Sequence, residues 1–143
     1  MAMRDITIKI TGKQVYDDSE ENQMEFITDG RLYQRNGYCY LIYDESEISG
    51  MEGLKTTLRF NDKSLKMKRT GKDGPQSELY FEEGRRFSSN YMTPEGSLGI
   101  EVLTTAVRNL VDKEAGKGRL DVEYDVSLDG MAEGRNKLTI DLM

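Results

Sequence analysis

Twenty residues, "NYMTPEGSLGIEVLTTAVRN" from Asn90 to Asn109, decide between two architectures. As a helix, the segment and the residue after it would place four apolar residues on one face: Leu103, Ala106, Val107 and Leu110. As a strand, it would line one side with five residues: Leu98, Ile100, Val102, Thr104 and Ala106. The segment is rich in Ile, Val and Thr, which favour strands, and "PEG" at Pro94 to Gly96 is typical of a turn between strands. We therefore predict a strand from Leu98 to Ala106.

Alternation of apolar and polar residues extends outward from this segment in both directions. The clearest examples are "ITIKI", "LKTTLRF", "LKMKR", "LDVEYDVSL" and "KLTIDL". Stretches such as "FNDKS", "TGKDGP" and "SLDGMAEGR" supply the Gly, Asn and Asp of tight antiparallel connections, and leave little room for helices. The pattern predicts an all-β protein: residues 1–143 form a single domain, an antiparallel up-and-down β-barrel of about 8–10 strands.

Composition limits the chemistry of such a barrel. The chain has 143 residues, no histidine and one cysteine, Cys39. Without histidine, Ser-His-Asp and Cys-His catalysis are absent, and an ordinary structural zinc site cannot be built. The acid clusters "DDSEEN" and "YDESEISGMEG" lack the spacing of a calcium loop. We therefore expect neither an enzyme nor a cofactor or metal, and interpret Cys39 as a core residue.

The net charge and the N-terminal sequence limit the partners and the cellular location that we expect for the protein. The net charge of −6 disfavours nucleic acid and anionic membranes as partners, and no apolar run resembles a signal peptide or a membrane span. We expect a cytoplasmic protein. The segment "YCYLIY" is apolar on both faces, more than one core requires, so one face is expected to meet a second copy in a homodimer.

Several segments together resemble the YwiB-like family of small uncharacterised bacterial proteins, which is placed in the calycin superfamily with lipocalin-type barrels. They are "NGYCYLIYDESEISG", "LKTTLRF", "LKMKRTG", "FEEG", "NYMTPEGSLGIEVLTT" and "LDVEYDVSLDG". The most specific is Y-x-T-P-x-G followed by a strand that ends in Thr. The resemblance covers most of the chain and implies a calycin-like, lipocalin-like barrel. It implies no activity.

One inward cation marks a candidate site. In "LKMKR", Lys66 and Lys68 define the outer face of the strand, which places Arg69 inside the barrel, where it must be paired. Glu45 is the expected partner, because it shares a face with Tyr43. Alternation adds four further inward polar residues: Thr56, Tyr91, Thr104 and Tyr124.

Two interpretations of this cluster remain open. In the first, the barrel is a binding module in which Arg69 and the tyrosines hold the anionic head of a small apolar or amphipathic ligand. In the second, the cluster is an internal ion-pair and hydrogen-bond network, and the packed barrel is a non-catalytic protein-interaction module. The basic run "KSLKMKRTGK" is interpreted as the solvated face of a strand rather than as a nucleic-acid site.

Overall fold

The computed structural model describes residues 3–16, 21–45, 53–72, 74–93, 96–128 and 132–143. These residues form ten β-strands: β1 (Arg4–Tyr16), β2 (Glu21–Arg35), β3 (Tyr38–Asp44), β4 (Lys55–Phe60), β5 (Ser64–Gly71), β6 (Gly74–Glu82), β7 (Arg86–Thr93), β8 (Gly96–Asp112), β9 (Lys117–Leu128) and β10 (Ala132–Leu142). No helix in the described ranges is long and apolar enough to cross a membrane.

All ten strands belong to one antiparallel sheet, in the order β6-β5-β4-β3-β2-β1-β10-β9-β8-β7. Strands that follow each other in the chain pair with each other, except β6 and β7, and the first strand β1 also pairs with the last strand β10. At the seam, β6 and β7 lie side by side without a ladder between their described residues. The predicted all-β up-and-down barrel is confirmed, in a nearly closed form.

The predicted strand from Leu98 to Ala106 is confirmed, and it lies within the 17-residue β8. One detail of the prediction is wrong. The register between β8 and β9 shifts between Thr104 and Ala106, where a β-bulge inserts Thr105. Because the extra residue reverses the alternation, Ala106 lies opposite Glu123 on the outer face, and Val107 takes the inward position.

The barrel interior is filled by apolar side chains from all around the sheet. The largest fully buried ones are Phe60, Phe81, Ile8, Ile10, Leu41, Leu58, Leu65, Leu120, Ile140, Val102 and Val122. These positions alternate along their strands, because every second residue of a strand points to the same side. This core holds the strands whose polar residues form the candidate site.

Two connections depend on unusual backbone conformations. Asn36 and Gly37 both have positive φ, at 52° and 82°, which is the pattern of the tight hairpin turn joining β2 and β3. At Gly118, with φ of 132°, a Cβ atom would lie 2.2 Å from the carbonyl oxygen of Leu110. Only glycine fits there, because the start of β9 runs against the end of β8.

Candidate functional site

The first polar row of the interior crosses three adjacent strands. Tyr43 of β3 lies opposite Thr56 of β4, and Thr56 lies opposite Arg69 of β5. Antiparallel partners point to the same face of a sheet, so all three side chains point inward, two residues along each strand from the buried Leu41, Leu58 and Met67. Alternation alone therefore placed this row correctly.

Glu45 completes this row and pairs with its cation. The Glu45 side chain is only 2% exposed, and its Oε1 lies 3.7 Å from Arg69 Nε. The Thr56 hydroxyl donates a 2.6 Å hydrogen bond to the same oxygen. The predicted partnership of Arg69 and Glu45 is confirmed as an ion pair, while the Arg69 side chain keeps 17% of its surface exposed.

The contact between Arg69 and Glu45 is electrostatic rather than a hydrogen bond, because 3.7 Å exceeds hydrogen-bond distance. Arg69 Nε is buried and has no hydrogen-bond partner among the described residues. A guanidinium has five N–H donors and keeps its charge at any physiological pH. Arg69 thus balances Glu45 and leaves at least one buried donor unused.

Tyr43 is held neutral beside this pair. Its side chain is buried, and burial raises the pKa of the phenol strongly; the Glu45 carboxylate raises it further, while Arg69 acts in the opposite direction. A neutral phenol can donate a hydrogen bond to a carboxylate or to another acceptor, whereas a phenolate cannot. Tyr43 therefore adds a donor and no charge to the cluster.

A second polar row lies across β1, β10, β9 and β8. Gln14 lies opposite Asn136, Asn136 opposite Tyr124, and Tyr124 opposite Thr104. On the other side of β1, Asn22 of β2 lies opposite Gln14. Five inward positions in register are thus polar. The sequence prediction found Tyr124 and Thr104, and missed the three amides.

Tyr124 connects this second row to the first. Its ring packs against Phe81 at 4.7 Å between centroids, on the opposite side of the interior. Burial raises the pKa of the Tyr124 phenol, and the positive charge of Arg69 partly opposes that rise. The structure thus brings Tyr124 within the electrostatic reach of Arg69, as predicted.

Two predicted members are less closely joined to the cluster. The Thr104 side chain is 1% exposed, and its hydroxyl has no hydrogen-bond partner among the described residues. Tyr91 lies opposite Leu98 in the pairing of β7 with β8, and its side chain lies outside the described residues. The observed cluster therefore consists of Glu45, Tyr43, Thr56 and Arg69, with Tyr124 facing them.

A cavity of about 410 Å³ opens between the two polar rows. Its lining is Gly12, Lys13, Gln14, Asn22, Gln23, Met24, Met67, Arg69, Tyr124, Asn136, Lys137 and Leu138. The register places Lys13, Gln23 and Lys137 on the outer face of their strands, so Arg69 is the inward cation of this described lining. None of these residues is a carboxylate. The inward-pointing part of the lining therefore combines one cation, three amides and one phenol with the apolar surface of Met24, Met67 and Leu138.

A second cavity, of about 670 Å³, lies at the ends of β1 to β4. Its lining is Asp5, Ile6, Thr7, Asp29, Gly30, Arg31, Ile42, Tyr43, Asp44, Lys55 and Met143. Its charges are mixed, with three carboxylates and two cations. The described part of the chain contains no group of three or more His, Cys, Asp or Glu side chains able to hold a metal ion. This cavity thus offers neither a single charge for recognition nor a metal centre.

Cys39 is a core residue, as predicted. Its side chain is 3% exposed, and burial raises the pKa of the thiol, with the Lys113 cation opposing that rise and Asp62 adding to it. The thiolate is the reactive form of cysteine. Cys39 is therefore a protonated, apolar part of the packing.

Comparisons with known proteins agree with this architecture. Residues 8–140 match the family model described as "Domain of unknown function (DUF1934)". The chain is 25% identical over 126 residues to the "Uncharacterized beta-barrel protein YwiB" of Bacillus subtilis (strain 168), covering 88% of this chain and 84% of that protein. The crystal structure of the Bacillus subtilis ywiB protein superimposes with a TM-score of 0.74 at 23% identity, covering 98% of this chain and 94% of that one. The predicted YwiB-like resemblance is confirmed.

Proposed function

The chain belongs to the DUF1934 family, and we propose that its barrel is a binding module for a small, amphipathic, anionic molecule. The ligand enters the cavity between the two polar rows. The observation that carries this proposal is the cavity of about 410 Å³ that reaches the half-buried Arg69. Ligand sites in proteins are typically concave, largely apolar, and contain a few convergent polar groups.

Arg69 is the recognition group in this proposal. Its Nε has no hydrogen-bond partner among the described residues, although it lies in a buried position. A carboxylate, sulfonate or phosphate head group would supply the acceptors that Arg69 lacks, and charge-assisted hydrogen bonds of this kind are the strong ones. Glu45 would remain in place and orient the guanidinium from the side away from the cavity.

Apolar and neutral groups suit the remainder of such a ligand. Met24, Met67 and Leu138 provide apolar walls, and methionine side chains adapt to ligands of different shape. Tyr124 is a hydrogen-bond donor at the same surface, because burial raises its pKa and keeps the phenol neutral. The proposed ligand class is therefore an anion with a short apolar tail. The expected absence of catalysis and the expected cytoplasmic location stay predictions beside this proposal.

The experiment uses 1-anilinonaphthalene-8-sulfonate, an anionic amphiphile whose fluorescence rises in an apolar site. Wild-type protein is expected to bind one equivalent, and octanoate is expected to displace it. The Arg69→Met, Glu45→Gln variant removes both charges of the ion pair together, so the fold is retained while the anion site is lost. Its affinity for the probe is expected to fall at least tenfold.

The matched control is Arg119→Met, which removes an exposed arginine from the outer face of β9, away from the cavity. This variant is expected to bind the probe like wild type. Equal binding by all three proteins, or wild-type binding of many equivalents without displacement by octanoate, would refute the proposal.

A second candidate is a packed interaction module without a ligand. The observation favouring it is the ion pair itself: Arg69 already has a carboxylate partner, and buried pairs are often only structural. If the folded wild-type protein binds neither the probe nor octanoate, and native mass spectrometry of the purified protein finds no bound small molecule, this second function is supported.

A further inference from the structure

The outer face of β2 to β5 is basic, although the chain carries a net charge of −6. The register places six cations on this face: Arg31, Arg35, Lys55, Arg59, Lys66 and Lys68. Four carboxylates lie on the outer face of the same strands: Glu21 and Glu25 on the part of β2 that does not pair with β3, and Asp29 and Asp44 at one end, where they also line the larger cavity. We call these cations and the tyrosines between them the basic aromatic face.

Most of these cations are free to meet a partner. Lys66 is paired with Glu78 of β6 at 3.1 Å, and the other five have no ion-pair partner among the described residues. Arg31, Arg35, Lys55 and Lys68 are exposed. Arg59 is half-buried, and its Nε has no hydrogen-bond partner in the described part of the chain. Five of the six cations are therefore available to an anionic partner.

Planar groups lie among the cations. Tyr33 of β2 and Tyr40 of β3 stack with ring centroids 4.8 Å apart and an interplanar angle of 2°. The Arg59 guanidinium lies 4.7 Å from the centroid of the Tyr38 ring. All four side chains are only half-buried. The face thus offers aromatic rings and a guanidinium plane to a ligand.

The register aligns aromatic and cationic groups in one row. Tyr33 lies opposite Tyr40, Tyr40 opposite Arg59, Arg59 opposite Lys66, and Lys66 opposite Tyr80 of β6. Neighbouring strands are about 4.8 Å apart, so the row is on the order of 20 Å long. Such a row matches a short stretch of a flexible polymer better than a single small anion.

We propose that the basic aromatic face binds single-stranded nucleic acid. Proteins that bind single strands combine a positive surface, which follows the phosphates, with aromatic side chains on which bases stack. This face has both features, on neighbouring strands and in register. The expectation that nucleic acid is disfavoured was based on the net charge of the whole chain, and the charges of this face have the opposite sign.

The same charges argue against the predicted homodimer through this face. In a two-fold symmetric dimer, the same patch meets itself, so two sets of six cations would face each other. An acidic peptide would match the charge, but it has no flat bases to stack on Tyr33, Tyr40 or Arg59. Single-stranded nucleic acid satisfies both the charge and the planar groups.

The experiment measures fluorescence anisotropy of fluorescein-labelled oligothymidylate and oligouridylate 20-mers at 50 mM NaCl. The Arg35→Glu, Lys68→Glu variant is expected to bind both at least tenfold more weakly than wild type. The matched control, Lys9→Glu, Lys117→Glu, makes the same change in net charge on β1 and β9. It is expected to stay within twofold of wild type. Thermal unfolding of each variant verifies the fold.

A second variant separates stacking from charge. Tyr33→Leu, Tyr40→Leu is expected to weaken binding of both oligonucleotides about tenfold, because stacking contributes to the affinity of each base. Binding of poly-L-glutamate, which has no bases, should be unchanged in this variant. Absence of wild-type binding to both oligonucleotides would overturn the proposal. So would oligonucleotide binding that the tyrosine variant leaves intact, which would indicate an acidic polymer as the partner.

Discussion

The two ends of β3, β4 and β5 build opposite kinds of interior from the same alternation. At one end, Cys39 lies opposite Phe60, Phe60 opposite Leu65, and Leu65 opposite Phe81. At the other, the corresponding row is Tyr43, Thr56 and Arg69. This row, with Glu45 and the facing Tyr124 and Thr104, is the polar end of the barrel. The first row is buried and apolar, with exposures of 0–3%. The second row depends on specific partners for its polar groups.

The difference shows what each end requires. Close packing stabilises an apolar side chain in any direction. The end of the barrel that contains Phe60 and Phe81 therefore requires only side chains of complementary volume. A buried charge or hydroxyl needs a partner at a defined distance, or it costs free energy. At the polar end Glu45 has two such partners, whereas Arg69 Nε and Thr104 Oγ1 have no hydrogen bond among the described residues. The polar end is thus the incompletely satisfied part of the barrel.

The largest expected change in stability comes from removing the cation of the polar end. Arg69→Met leaves the Glu45 carboxylate buried without its counter-charge, so we expect the free energy of unfolding to fall by about 3–5 kcal/mol. The Arg69→Met, Glu45→Gln variant should recover part of that loss, because no charge is then buried. Urea unfolding followed by circular dichroism measures both.

The control for that variant lies two residues away on the same strand. Met67→Leu keeps the volume of a buried side chain in the apolar layer, and its expected cost is below about 1.5 kcal/mol. If Arg69→Met costs no more than Met67→Leu, the ion pair contributes little, and the polar end is as tolerant as the apolar end.

The next test uses pH, because two tyrosines of the polar end have raised pKa values. Burial raises the pKa of Tyr43 and of Tyr124 in the folded protein, while tyrosines of the unfolded chain ionise near pH 10. The unfolded state therefore loses protons first as the pH rises. The stabilisation from both phenols is present below pH 10 and is lost above it.

The free energy of unfolding should therefore decline as the pH rises above 10, because the tyrosines of the unfolded chain ionise before the buried Tyr43 and Tyr124 do. Denaturant unfolding at pH 8 to 11 measures the loss. The Tyr43→Phe variant should show a shallower decline. A free energy of unfolding that is constant over this range would show that both phenols reach solvent in the folded state.

The sequence predicted the fold and, at the polar end, the charged and hydroxyl-bearing side chains but not the amides. Both predictions follow from alternation. In "LKMKR", two lysines mark the outer face, so Arg69 was predicted to point inward. Glu45 was predicted as its partner because a buried cation needs a counter-charge. The bulge at Thr105 was invisible, because one inserted residue leaves no hydropathy signal in "VLTTAV". Ala106 was consequently assigned to the wrong face.

The three amides were missed for another reason. The prediction ended β1 with "ITIKI", where the apolar alternation stops, whereas the strand continues to Tyr16 and includes Gln14. Asn22 and Asn136 likewise lie where strands extend beyond their apolar residues. A hydropathy pattern finds the part of a strand that packs in the core and overlooks the part that lines a polar cavity. The alternation of Ile6, Ile8 and Ile10 predicts an inward Gln14 when it is continued along β1, and Asn22 lies opposite Gln14.

The smallest and sharpest test compares two buried threonines of the polar end by the same substitution. Thr56→Val removes the hydroxyl that donates a 2.6 Å hydrogen bond to Glu45, so the carboxylate loses a partner. Hydrogen bonds to charged groups contribute about 1.5–3 kcal/mol, and we expect a loss of about 2 kcal/mol in the free energy of unfolding.

Thr104→Val is expected to change the free energy of unfolding in the opposite direction. Its hydroxyl is buried without a hydrogen-bond partner in the described part of the chain, and valine fills nearly the same volume without that unsatisfied group. Removing the desolvated hydroxyl should raise the free energy of unfolding by about 1 kcal/mol. Both threonines are buried in β-strands, at 0% and 1% exposure, and undergo the same substitution, so each variant serves as the control for the other in urea unfolding. If Thr104→Val is as destabilising as Thr56→Val, the Thr104 hydroxyl has a partner in solution, such as a water molecule or a ligand in the polar end. The distinction between Thr56 as a hydrogen-bonded group and Thr104 as an unsatisfied group would then be wrong.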